Sequence, residues 1–150
     1  MKKLITAKPV KAFSQLSKQE RWFLATSAIT FFFGQASARY PHQLVKGRQV
    51  AQGGDYSILL SASYYTTEKE YSQTISAEVV KKATDRSYFT FLILRVGENS
   101  THFEYSCSCK DFEERPHRPC KHIIATAIKY QELLFRWAKK YMPEYAKCLT

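Results

Sequence analysis

Two short pairs, Cys107-Ser108-Cys109 and Cys120-Lys121-His122, fall within sixteen residues in the order C-x-C-x10-C-x-H. No other feature restricts the fold of this chain as strongly. Three thiols and an imidazole in two tight pairs, joined by a short loop, are the donor set of one tetrahedral Zn2+. On a strand, residues i and i+2 point to the same side, so Cys107 and Cys109 can face one metal from a strand end. In a helix interior the same spacing spreads two side chains about 200° apart. Cys120 and His122 therefore converge only if Cys120 precedes the helix and His122 occupies its first turn, and Pro119 favours such a pre-helical turn. First-turn N–H groups also support thiolate charge. Four protein donors leave no open coordination position, which makes the expected zinc structural and a catalytic metal unexpected. His117 is a rival fourth donor but lies in Arg115-Pro116-His117-Arg118-Pro119 without partner spacing. His42 and His102 have no neighbouring cysteine, and alternation puts His102 on the opposite strand face from Cys107.

The rest of the chain reads as α+β. Residues 1–13 form a basic arm with Lys2, Lys3, Lys8 and Lys11. Residues 14–40 are a helical segment. Ser17-Lys18-Gln19-Glu20 is a capping box, and Trp22, Ala25, Ile29, Phe32, Phe33 and Ala36 recur at helical spacing. Tyr40-Pro41 forces an extended residue after the helix. Residues 44–145 read as an antiparallel β-sheet plus the zinc module, with the zinc core at about 101–125 and strand-like pattern from about 44 to 109. Ile75, Ala77 and Val79 alternate with polar residues, while Tyr88 to Val96 is a nearly continuous apolar run suited to a central strand. Gly53-Gly54-Asp55 and Gly97-Glu98-Asn99-Ser100 are turns. A long helix then starts near Cys120 and stops before Pro143, with Ile123, Ile124, Ala127, Leu134, Phe135 and Ala138 as its apolar stripe.

The metal pattern and its flanks resemble the SWIM-type zinc finger, whose pattern is C-x-C, a variable loop, then C-x-H. The resemblance rests on Tyr105-Ser106-Cys107-Ser108-Cys109 at a strand end, Lys110-Asp111-Phe112 after it, and Arg118-Pro119-Cys120-Lys121-His122-Ile123 opening a helix. It covers about residues 88–131, with a looser likeness in Lys46-Gly47-Arg48 and Gly53 to the lead-in of some bacterial members. It implies a β-β-α module with one structural zinc. Members of the family are associated with DNA binding or protein–protein interaction and occur beside ATPase and transposase domains.

Charge points the same way. The chain carries 23 Lys and Arg against 13 Asp and Glu, a net +10, and a basic protein favours a polyanionic partner. Residues 1–50 contribute +8, residues 51–100 contribute −1 and residues 101–150 contribute +3. The expected partner is nucleic acid, DNA before RNA, gripped by Lys2, Lys3, Lys8, Lys11, Lys110, Arg115, Arg118 and Lys121. Asp111, Glu113 and Glu114 make the zinc loop mixed in sign, so the grip leans on the N-terminal third. The alternative is a protein-interaction adaptor. No nucleophile–base pair or phosphate-cradling glycine loop points to an enzyme or a small-molecule substrate. Cys148, left over from the metal set, fits a reducing, cytoplasmic compartment. The longest apolar stretch, Trp22 to Phe33, is twelve residues and too short to span a membrane.

Overall fold

The computed structural model describes residues 12–147. The expected arm residues Lys2, Lys3, Lys8 and Lys11, and also Cys148, lie outside that range. After a single 3-10 turn at Phe13–Gln15 come helices α1 (Lys18–Arg39) and α2 (Pro41–Gln52). Strands β1 (Tyr56–Thr66), β2 (Glu70–Lys81), β3 (Arg86–Gly97) and β4 (Thr101–Cys107) follow. Helices α3 (Lys110–Glu114), α4 (Lys121–Tyr141) and α5 (Pro143–Ala146) complete the chain. The architecture is α+β, with a four-stranded antiparallel meander in the order β1-β2-β3-β4. No helix among the described residues is long and apolar enough to cross a membrane.

Helix α1 begins where the capping box places it. The Glu20 N–H donates to Ser17 Oγ at 3.1 Å and the Ser17 N–H donates to Glu20 Oε1 at 2.9 Å. Its buried face is Trp22, Ala25, Ala28, Ile29, Phe32 and Ala36. The indole of Trp22 donates to the Leu134 carbonyl at 2.8 Å, tying α1 to α4. Phe31, outside that face, is exposed, with its ring centre 5.8 Å from that of Phe103.

The expectation of strand from residue 44 fails. Pro41 occupies the first turn of a second helix, where its missing N–H costs nothing. Gln43, Gly47, Val50 and Ala51 then recur at helical spacing and are buried against α4. The glycine at the centre of that face hid the period from the sequence. From Tyr56 onward the strands fall as expected. Ile75 and Val79 on β2 face Leu92 and Tyr88 on β3, and Leu92 and Leu94 are fully buried. The helices cover one sheet face only. Leu59, Phe89 and Phe91 point to the other and are exposed, so the apolar run of β3 marks an internal strand without marking two buried faces. Antiparallel sheets tolerate such one-sided solvation.

Candidate metal centre

Three local structures bring the four donors together. Cys107 is the last residue of β4, on the face shared by Phe103 and Tyr105. Two residues on, Cys109 is the N-cap of α3, and its sulfur accepts the Phe112 N–H at 3.4 Å. Cys120 is the N-cap of α4 in extended conformation, so its side chain leaves the helix before the helical rotation begins. His122 then sits in the first turn, as the spacing argument requires. The donor atoms of Cys107, Cys109, Cys120 and His122 all lie within 4.8 Å of one another, and the last three residues are buried.

The arrangement fits zinc. Nδ1 of His122 faces the thiols, 3.8 Å from the sulfurs of both Cys107 and Cys120. Zinc bonds sulfur at about 2.3 Å and imidazole nitrogen at about 2.0–2.1 Å, so a sulfur–nitrogen tetrahedral edge is about 3.6 Å. These pairs are therefore read as edges of a coordination shell and not as weak hydrogen bonds. The acid–base chemistry agrees. Burial, with a contribution from Lys121, pushes His122 down to about 4, so the ring is the neutral, lone-pair-bearing form. A hydrogen bond with Cys107 and then burial push the Cys120 thiol far up, and burial raises Cys109. Thiols so crowded resist ionisation by themselves, and a divalent cation at their centre reverses that balance. Metal binding at this site therefore releases protons. The site holds one zinc ion in a shell of four protein donors.

The surroundings lock the donors. Gln43 of α2 is buried and donates from Nε2 to the Pro119 carbonyl at 3.1 Å. The hydroxyls of Tyr40 and Tyr105 both donate to the His117 carbonyl at 3.2 Å. His117 thus serves through its backbone, its side chain is exposed, and it is not among the clustered donors. Thr126 donates to the His122 carbonyl at 2.8 Å and shares a 2.7 Å hydrogen bond with Thr90 of β3. The imidazole stacks on Tyr88 at 4.2 Å between ring centres.

A cavity of about 590 Å³ opens beside the metal centre. Lys110 and Lys121, both anticipated, line it together with Lys46 of α2, noted in the sequence only within the looser Lys46-Gly47-Arg48 likeness, and Arg86 of β3, which the sequence did not single out. Tyr56 and Tyr88 form aromatic wall, and Lys121 Nζ lies 6.0 Å from the Tyr56 ring centre. Nothing in the local sequence marks Lys46 or Arg86 as a neighbour of the metal donors in space, because they arrive from other elements. Arg115 and Arg118 are placed differently: both bond Asp111, at 3.0 and 3.2 Å. Burial acts to raise the Asp111 carboxyl, but Arg118 and then Arg115 outweigh it and hold it below the usual carboxylate range. Glu113 and Glu114 are exposed on α3.

Residues 102–131 match the SWIM zinc finger family. No curated protein and no solved structure matches the chain.

Proposed function

We propose that this chain, which carries a SWIM zinc finger over residues 102–131, is a non-catalytic DNA-binding protein that grips phosphate beside the zinc. One observation carries the reading: Lys46, Arg86, Lys110 and Lys121, from four different elements, line a single cavity with Tyr56 and Tyr88. Asp55 and Asp111 also line it, but the Asp111 charge is offset by Arg115 and Arg118. The zinc acts as architecture, holding the ends of β4 and α4 so that Lys110 and Lys121 stay beside cations from α2 and β3. A shell filled by four protein donors supports a non-catalytic role. Three metal-bound thiolates suit a reducing, cytoplasmic setting.

Four phosphate contacts correspond to a salt dependence, log Kobs against log salt, of about −3.6. Fluorescence anisotropy of duplex DNA at several salt concentrations is the test. K46E combined with R86E is expected to weaken binding and to shrink the slope by about 2. Absence of DNA binding at low salt, or a slope untouched by the two reversals, defeats the proposal. A second reading, a protein-interaction adaptor, is favoured by the uncovered sheet face with Leu59, Phe89 and Phe91 exposed. It becomes the better account if F89S with F91S abolishes capture of a host partner while DNA binding is nil.

A further inference from the structure

A second cleft, remote in character from the metal centre, lies between α1, the second half of α4 and the ends of β1 and β2. It is an open groove of about 520 Å³, a volume in the range of about 300–1,000 Å³ found at small-ligand sites. Its walls are apolar and aromatic, including Trp22, Leu133, Trp137 and Tyr141. Four cationic side chains stand among the lining residues: Lys18 and Arg21 from α1, Arg136 and Lys140 from α4. No acidic side chain among the described residues lines it. Arg21 is held in place by donating to the Leu16 carbonyl at 2.8 Å and by lying 4.4 Å above the Tyr64 ring.

Tyr130 lines the floor of the cleft and is only 2% exposed. Tyr71 beside it donates to Gln73 Oε1. Burial pushes both phenols up, Tyr71 to about 12, so both remain protonated donors at neutral pH. The cleft thus offers an apolar body, cations at the sides and a tyrosine floor.

We infer that this cleft binds a free anionic amphiphile, a carboxylate on an aliphatic or aromatic body. The apolar portion fills the space between Trp22, Leu133 and Trp137, and the carboxylate meets the cations of α1 and α4. The Tyr130 hydroxyl donates to an acceptor on the ligand. The inference is independent of the DNA-binding proposal, because no lining residue is shared with the zinc-side cavity.

Trp22 and Trp137 are the only two tryptophans in the chain, and both line this cleft, so intrinsic fluorescence reads the site directly. Zinc-loaded full-length protein titrated with dodecanoate below its micelle concentration is expected to give a saturable one-to-one change. Dodecyltrimethylammonium, with the same tail and the opposite charge, is expected to bind at least tenfold more weakly. R136E with K140E, both at exposed positions, is expected to weaken dodecanoate at least tenfold. Y130F, which removes only the hydroxyl, is expected to weaken it several-fold with circular dichroism unchanged. No saturable change, equal affinity for the cationic analogue, or indifference to the charge reversals overturns the inference. Capture by phosphatidylglycerol vesicles without binding of the free acid also overturns it, in favour of a membrane surface.

Discussion

Gly47→Ala tests whether the contact between α2 and α4 is as close as the structure shows. Helix propensity alone favours the change by about 1 kcal/mol, since Gly47 sits inside a regular helix. Packing opposes it. A Cβ at residue 47 would stand 2.3 Å from Ile124 Cγ2, 2.4 Å from Ile124 Cβ and 3.3 Å from the Lys121 carbonyl oxygen. Carbon atoms in contact rest at about 3.5–4.0 Å. Turning the Ile124 side chain moves Cγ2 but leaves its Cβ, so relief requires the helices to separate by about 1 Å. Ile124 is fully buried, and overpacking of this kind costs about 1–3 kcal/mol. Given the closeness of both carbon contacts, we place the cost toward the upper end and the net loss at about 1–2 kcal/mol. That corresponds to a fall in Tm of about 2–8 °C. The same separation would pull Gln43 from the Pro119 carbonyl, so zinc should also leave faster to a competing chelator. Gly34→Ala is the matched control. Gly34 lies inside α1 with nothing within 4 Å of its would-be Cβ, so that variant should gain up to about 1 kcal/mol. The measurement is thermal and urea unfolding of both variants with zinc bound. If Gly47→Ala is neutral or stabilising like Gly34→Ala, the argued approach of α2 to α4 is wrong.

Cys120→Ser should release the metal and loosen residues 101–125, because binding and folding at such sites are coupled; elemental analysis and limited proteolysis read both, and native protein lacking zinc would defeat the assignment. Thr126→Val should cost about 1–3 kcal/mol by leaving the buried Thr90 hydroxyl without its partner. The double variant Thr90→Val with Thr126→Val should recover part of that loss in urea unfolding, and strict additivity of the two single changes would count against the pair. Tyr71 has its folded pKa raised to about 12 by burial, so its neutral form stabilises the fold fully below its ordinary value of about 10. That contribution is lost as pH rises from about 10 to about 12, an effect of roughly 2 kcal/mol. Tyr71→Phe should therefore show a shallower alkaline loss of stability than the parent, and parallel curves would refute it.

How much was legible followed from how local the determinants are. The capping box at Ser17 and Glu20, the alternation in β2 and the turn after Gly97 each depend on neighbours within a few residues, and each formed as read. The metal donors were legible because the strand period, the helix period and the Pro119 turn are local rules that leave one way for the four side chains to meet. Helix α2 was not legible. Its buried face carries Gly47 where an apolar side chain would have signalled the period, and glycine is there because α4 passes too close for a Cβ. The run from Tyr88 to Val96 misled in the opposite sense, since Phe89 and Phe91 are apolar yet uncovered.

The sequence by itself determined the α+β class, the zinc donors and the chemistry of their shell, because ligand identity and short spacing are written in consecutive residues. Tertiary structure alone decided which charges share a surface. It brought Lys46 and Arg86 to Lys110 and Lys121, tied Arg115 and Arg118 to Asp111, and set Lys18 and Arg21 across a cleft from Arg136 and Lys140. A net charge says only that a partner is attracted. Where it can be held depends on distances between residues far apart in the chain, and those are set by the packing of helices on the sheet.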